Sequence, residues 1–387
     1  MRNAGCVIVT NPFRYGGIVG REAFCDRKKE LADLARAAEE GGRLFLYAER
    51  RMGKTSLALR MLQSLDRRKQ IGAYVDLWPT EGEESFAAAL AAAVSGSLAS
   101  TADRLLEAAR RFFGGLAPSV TLDPEGRPQL SFGVRGSRIG AAALKDVLAA
   151  PEEIARRRKT QVVLVFDEFQ RILEYGGDTV ERTLRSTIQD HRHVAYFFLG
   201  SRKHLIQRMF LDQNRPLYRS GTHYPLGPIA TRYWIPFVRS RFQRSGKRIG
   251  SEQIRRICTI TGGHPFYTQH LCHAVWELCA PRGRVEDSTI EKAFGLLLER
   301  ESYAYTALWE SLAPNQRRFL LGLAAEPHGV RPFGSAFVRS HRLGSASNAQ
   351  RAAEALLQRD IIDREDGSFV ITDRFFQAWI RQAATST

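Results

Sequence analysis

No run in the 387 residues approaches the roughly 20 consecutive apolar positions of a bilayer-crossing helix, so no membrane-spanning segment is expected. The N-terminus, from Met1 to Thr10, is too short and too polar for a secretion signal, whose apolar core needs about 7–15 residues. A cytoplasmic location is therefore expected. Cysteine is scarce: there are five (Cys6, Cys25, Cys258, Cys272 and Cys279), none in a CxxC pair. Cys272 and Cys279 stand seven apart on an expected helix and share a face, which reads as core packing and not as a zinc site or a disulfide framework. Internal repeats and low-complexity linkers are also missing. Acidic residues are in deficit, with 57 Lys and Arg against 41 Asp and Glu, a net charge of +16. That balance favours contact with phosphate backbones or acidic partners, the other reading being an arginine- and alanine-rich coding bias.

What is present fits two or three globular domains. Asn11-Pro12 and Gly16-Gly17 mark a loop-rich entry, and an amphipathic helix is expected over 26–40, ending at Gly41-Gly42. Apolar strands are expected at 43–47, 72–77, 162–166 and 194–199, alternating with helices at 54–65, 84–113 and 141–157. Near-continuous apolar strands between helices predict an α/β domain over 1–229, a parallel sheet covered by helices on both faces. Residues 120–132 read either as a hairpin around a Pro/Gly turn or as an insert without fixed structure. From 230 to 310 the pattern is all-helical. Over 311–387, helices at 314–325 and 346–359 precede two short strands around Asp366-Gly367, the tail of a winged helix-turn-helix.

The chemistry concentrates after the strand 43–47. Ala48-Glu49-Arg50-Arg51-Met52-Gly53-Lys54-Thr55 is a phosphate-binding loop opening a helix, where backbone N–H groups and the helix N-terminus face an anion. Lys54 is expected on the β- and γ-phosphates of ATP, and the Thr55 hydroxyl on Mg²⁺; Gly53 permits close backbone approach. Ala48 stands where the GxxxxGK[ST] pattern has glycine, a change that costs little if φ there is negative. Asp167-Glu168 ends the strand 162–166, with Asp167 placed to hold magnesium and Glu168 to polarise the attacking water. Ser201, after the strand 194–199, either orients water and the γ-phosphate or caps the helix that follows.

These residues resemble the archaeal-type family of AAA+ P-loop ATPases, related to STAND NTPases and to origin-recognition ATPases. The resemblance is carried by Asn11–Gly16, Phe24–Leu31, Arg50–Leu57 (with Arg50, Arg51, Met52 and Ser56 in the nucleotide loop), Val165–Gln170, Leu199–Ser201, Gly262–Tyr267 and Ile371–Trp379. It implies a helical lid over 230–310 between the ATPase domain and the winged helix. It further implies that Phe24 and Arg27 lie over the adenine, and that Arg219 is an arginine finger reaching a neighbouring subunit, with Arg202 and Arg215 as rivals. Gly262-Gly263-His264-Pro265 occupies the nucleotide-sensing lid motif without the arginine often found there. His264 and Pro265 would therefore close on the nucleotide as in STAND proteins, which favours slow hydrolysis; alternatively Gly262-Gly263 only separates two helices. In the winged helix, Ser345 to Arg351 begins the recognition helix, facing either DNA or protein. The expected function is an ATP-hydrolysing regulator that forms a homo-oligomer with nucleotide and acts on DNA in transposition, replication or defence. The alternative is a STAND-like ATP/ADP switch acting on a protein partner.

Overall fold

The computed structural model describes residues 10–98, 102–113, 116–122, 128–133, 141–326, 329–365 and 368–385. Cys6, the hairpin turn at 123–127 and the Asp366-Gly367 turn lie outside them. The described chain divides into two compact units, one of residues 27–49 and 54–226, the other of residues up to 26, 50–53 and 227–387.

The first unit runs α1 (Lys28–Glu39), β1 (Arg43–Tyr47), α2 (Lys54–Ser64), β2 (Gln70–Asp76), α3 (Glu83–Leu98), α4 (Ala102–Phe113), β3 (Ala117–Leu122), β4 (Pro128–Gly133) and α5 (Ala141–Arg158). It continues with β5 (Gln161–Asp167), α6 (Thr179–Ile188), β6 (Val194–Gly200), α7 (Lys203–Leu211) and β7 (Thr222–Pro225). Five strands form one parallel sheet in the order β2-β5-β6-β1-β7. Successive side chains of a strand point to opposite faces. Phe45, Val75, Leu164, Phe166, Tyr196 and Phe198 therefore share the face that packs with α3, α5, α6 and α7. Leu44, Leu46, Val163, Val165, Phe197 and Leu199 point the other way, towards α1 and α2. This two-sided burial is why β5 and β6 read as unbroken apolar runs.

Phe45, Phe198, Phe166 and Phe86 form a row of near-parallel rings, with centroids 5.1, 5.7 and 5.7 Å apart. Each buried ring stabilises the sheet by roughly 1.5–3 kcal/mol through removal of apolar surface from water. Residues 117–122 and 128–133 pair as an antiparallel hairpin with Val120 opposite Leu130. The hairpin reading therefore holds over the insert without fixed structure. The edge strand β7 has no counterpart in the sequence reading. It is only four residues long, too short to show a period, and ends in Pro225, which is tolerated at a sheet edge.

The second unit contains α8 (Thr231–Arg244), α9 (Ser251–Thr261), α10 (Pro265–Leu278), α11 (Asp287–Glu310), α12 (Pro314–Ala325), α13 (Ser335–Ser340) and α14 (Ala346–Gln358). The antiparallel pair β8 (Ile362–Glu365) and β9 (Ser368–Ile371) and the helix α15 (Arg374–Thr385) complete it. Three helices, a two-stranded wing and a closing helix are a winged helix. Ser345 caps α14, its Oγ accepting the Asn348 N–H at 3.2 Å. Gly262 and Gly263, both at positive φ, end α9, and Pro265 opens α10 behind His264. Cys25, Cys258, Cys272 and Cys279 are buried free thiols. No helix among the described residues is long and apolar enough to cross a membrane.

Candidate nucleotide site

The sheet order makes β5, β6 and β1 neighbours, so their carboxyl ends converge on one edge. A parallel sheet generally presents its ligands there, at strand ends and helix N-termini. The loop after β1 turns through Arg51 (φ 60°) and Gly53 (φ 88°) before α2 begins at Lys54. Ala48 is fully buried and does not take a positive φ, so alanine carries no backbone penalty here. Lys54 is buried, with Nζ donating to the carbonyls of Ala48 (3.3 Å) and Glu49 (3.1 Å). The ammonium is thus held at the loop's own mouth. Met52 and Ser56 are also buried.

Asp167 ends β5 and is 3% exposed. Its Oδ2 accepts hydrogen bonds from Thr55 Oγ1 at 2.5 Å and Tyr74 OH at 2.8 Å, and its Oδ1 accepts the Glu168 N–H at 2.9 Å. Burial raises the Asp167 pKa above the ordinary carboxylate value, opposed by the Thr55 and Tyr74 bonds and by the Lys54 charge. The Tyr74 hydroxyl is itself pushed up, by burial first and by Asp167 next. Glu168 sits at φ 51°, a left-handed conformation that turns it away from the strand direction. Its Oε2 accepts Ser201 Oγ at 2.8 Å and a bond from Gln170 Nε2. Gln170 Nε2 also lies 3.3 Å from Ser201 Oγ, closing a three-residue network.

Lys54, Thr55, Asp167, Glu168 and Ser201 therefore stand together in the first unit. Ser201 does not cap the helix that follows: α7 begins at Lys203 behind Arg202, which makes no side-chain capping bond. Tyr74 and Gln170 are additions to the sequence-derived set. The only signal for Tyr74 was a polar-tipped aromatic near the end of an apolar strand, and its target depends on β2 lying beside β5. Gln170 stands in the Asp167–Gln170 run without a role that spacing alone assigns.

The arginines separate by their engagement. Arg215 is paired with the buried carboxylate of Glu181, and Arg202 lies 3.6 Å from Glu174. Arg219 is exposed at φ 49°, its guanidinium 5.2 Å from the Tyr218 ring. Arg27, 6% exposed at φ 68°, is paired with Glu30 at 2.7 Å. Phe24, His264 and Pro265 belong to the second unit. Within that unit, His264 Nε2 lies 3.1 Å from the Arg50 carbonyl and Arg50 pairs with Asp360 at 2.8 Å. The Arg51 guanidinium stands 4.3 Å from the Phe266 ring.

Residues 24–271 match the family described as an ATPase domain predominantly from Archaea, and residues 303–382 match a probable winged helix domain. No curated protein matches the chain in sequence. Among solved structures, it is similar to a Walker-type ATPase of Pyrococcus abyssi, with a TM-score of 0.63 and 16% identity over 94% of this chain and 98% of that one. It is also similar to the ORC2 protein of Aeropyrum pernix in its ADP form, with a TM-score of 0.51 and 13% identity over 93% and 95% of the two chains. At such identities the likeness is one of fold. With the family match covering well over half of its length, the chain belongs to the family of ATPase domains found predominantly in Archaea.

Proposed function

We propose that this protein binds ATP with Mg²⁺, hydrolyses it slowly, assembles with itself when nucleotide is bound, and acts on DNA as a regulator. The observation that carries the reading is the hydrogen-bonded chain from Thr55 through Asp167 to Glu168 and Ser201. Thr55 and Asp167 bring hard oxygen donors to one point, a donor set that suits magnesium. Asp167 also has a buried carboxylate whose charged form a dication would favour. When bound, the ion would neutralise charge on the β- and γ-phosphates. Lys54 would swing from its two carbonyls to the same phosphates, and the N–H groups opening α2 would complete the anion cradle. Glu168 would accept the proton of the attacking water. Ser201 and Gln170 hold its Oε2, which fixes the carboxylate and leaves Oε1 to the water. Arg219, the exposed arginine of the three, would supply positive charge to a neighbour's γ-phosphate. Phe24 and Arg27 would flank the base, with His264 and Pro265 as the closing lid.

The DNA reading is supported by the winged helix and by the net charge of +16. ATP turnover measured with and without duplex DNA, at two salt concentrations, tests it. Stimulation by DNA that weakens with salt is expected, whereas turnover indifferent to DNA, with no binding to duplex, would remove DNA from the function. An R219A protein should bind ATP normally and lose turnover that depends on protein concentration.

A second reading, a STAND-like switch with a protein partner, is favoured by one set of contacts. The Arg50–Asp360 pair and the His264–Arg50 bond fasten the phosphate-loop tip within the unit that carries the winged helix. Under this reading D360A raises basal turnover in the absence of DNA; an unchanged basal rate counts against it.

A further inference from the structure

Two loops of the second unit are tied together more firmly than their exposure requires. One follows α8, over 245–249, and the other follows α10, over 279–285. Arg248 and Arg284 are Cα partners in an isolated parallel bridge, with Arg248 N–H donating to the Gly283 carbonyl (2.9 Å) and Val285 N–H to the Arg248 carbonyl (2.8 Å). Lys247, 8% exposed, donates from Nζ to the carbonyls of Trp276 and Cys279 at 2.5 and 2.7 Å and lies 3.8 Å from the Trp276 ring centroid. Trp276 Nε1 in turn donates to Ser245 Oγ at 2.7 Å. The second loop is itself tightly turned: a Cβ on Gly283 would meet the Ala280 carbonyl at 2.9 Å. The bridge and the Lys247–Cys279 bond thus fix one loop against the other, and Trp276 holds the first loop to the end of α10.

This rigid platform carries Arg244, Arg248, Arg282 and Arg284, all exposed. Arg248 and Arg284 sit side by side through the bridge, and like charges on directly paired residues are unfavourable. Of the carboxylates near the platform, Asp287 pairs with Arg256, Glu277 faces His273 and Lys247, and Glu22 faces Arg241, while Glu286 follows Val285 in the chain. Beneath the platform, Arg241 is half-buried against the Phe237 carbonyl and ring. Its pKa is lowered by burial first, with Arg244 adding to the effect and Cys25, Glu22 and Cys272 opposing it. Cationic groups thus accumulate on one small, preorganised surface. Guanidinium forks match phosphate oxygens in pairs, and nucleic-acid backbones supply phosphates in a regular row.

We propose that Arg244, Arg248, Arg282 and Arg284 form a phosphate-backbone contact for duplex DNA, separate from the recognition helix α14. The proposal rests on the DNA reading above and assigns part of the contact to the helical region, not to the wing. It is tested with the full-length protein and a labelled duplex of arbitrary sequence, by fluorescence anisotropy across a salt series. R248E/R284E should weaken binding tenfold or more at low salt. R248A/R284A, a gentler change at exposed positions, should lower the slope of log affinity against log salt by about 1.8, at roughly 0.9 per arginine. Affinity for a fluorescent ATP analogue and the melting temperature should stay unchanged in the alanine pair. If wild type binds duplex and both pairs retain its affinity and slope, the platform is not the contact and the DNA reading survives. If wild type binds no duplex, both fall. Equal affinity of wild type for poly-glutamate would overturn the assignment to nucleic acid.

Discussion

Ser201→Ala removes one hydroxyl from a buried network and leaves its neighbours in place. In the structure that hydroxyl donates to Glu168 Oε2 at 2.8 Å, and Gln170 Nε2 engages the same oxygen. A hydrogen bond to an ionised carboxylate contributes about 1.5–3 kcal/mol. At about 1.4 kcal/mol per factor of ten, its full loss from the transition state would slow hydrolysis roughly 10- to 150-fold. Gln170 still restrains the carboxylate, so a fall towards the lower end, about tenfold in kcat, is expected. KM should hold, because Ser201 touches Glu168 and not Lys54 or the loop. Glu168→Gln sets the scale: its amide oxygen can accept the same two bonds but cannot take a proton, so a loss of about 10²–10⁴ is expected with ATP binding retained. Steady-state phosphate release, with nucleotide affinity and melting temperature measured in parallel, reads all of these. A Ser201→Ala protein with unchanged kcat and a lowered melting temperature would refute the reasoning, because it would make the hydroxyl a structural group.

Three shorter predictions follow from other contacts. Tyr74→Phe removes the 2.8 Å donor to Asp167 and should raise the Mg²⁺ concentration for half-maximal turnover about tenfold, seen in a magnesium titration at saturating ATP. Gly200→Ala would put a Cβ 2.3 Å from Ile206 Cγ1 and 2.8 Å from Gln170 Oε1, costing about 1–3 kcal/mol in urea unfolding and displacing Gln170. His270 is buried beneath Tyr15, with ring centroids 3.8 Å apart, and its pKa is lowered to about 4, first by burial and then by His273, Arg300 and Arg51. A base with a depressed folded pKa contributes stability that is present above about pH 6.5 and lost as pH falls towards 4. The loss is at most about 3 kcal/mol and is reduced by solvent screening, and a His270→Phe protein should lack this component of its acid sensitivity.

The strands that the sequence reveals best are those buried on both faces. Val162 to Phe166 and Val194 to Leu199 have no polar residue to confuse with a turn, and each begins and ends within two residues of the observed β5 and β6. The turn from β1 into α2 is equally plain, because Gly53 breaks the apolar strand pattern just before the helix opens at Lys54. Relations across the sheet were harder to read. Tyr74 reaches Asp167 only because β2 is hydrogen-bonded to β5, and no periodicity reports strand order. Ser201 kept two roles in the sequence because a serine before a helix looks like a cap. Its release from that role depends on the helix beginning two residues later, a boundary that patterning does not resolve. The left-handed conformations of Arg51 and Glu168 were invisible for a related reason: neither residue type advertises a positive φ.

Under the proposed function, the electrostatics of Asp167 would connect stability to ligand binding. Burial raises its pKa relative to the unfolded chain, so the charged form costs the native state stability as pH rises through the titration. Thr55, Tyr74 and Lys54 offset part of this cost, and the adjacent Glu168 adds to it. A dication held by Asp167 would offset more, and it must compete with the proton to do so. The Mg²⁺-dependent part of the stabilisation by ATP should therefore grow with rising pH and shrink below the raised pKa. Its size at saturation follows mass action, about 2.7 kcal/mol at a hundredfold excess over Kd. Melting temperatures with ATP, with and without Mg²⁺, from pH 5 to pH 8 measure the trend. An Asp167→Asn protein provides the baseline, since the nucleotide's own phosphates also titrate in this range. The wild-type gain should exceed the Asn gain more at the upper end than at the lower. A constant difference between the two proteins across the series would mean that Asp167 does not meet the metal, and its buried charge would then be tolerated only through Thr55, Tyr74 and Lys54.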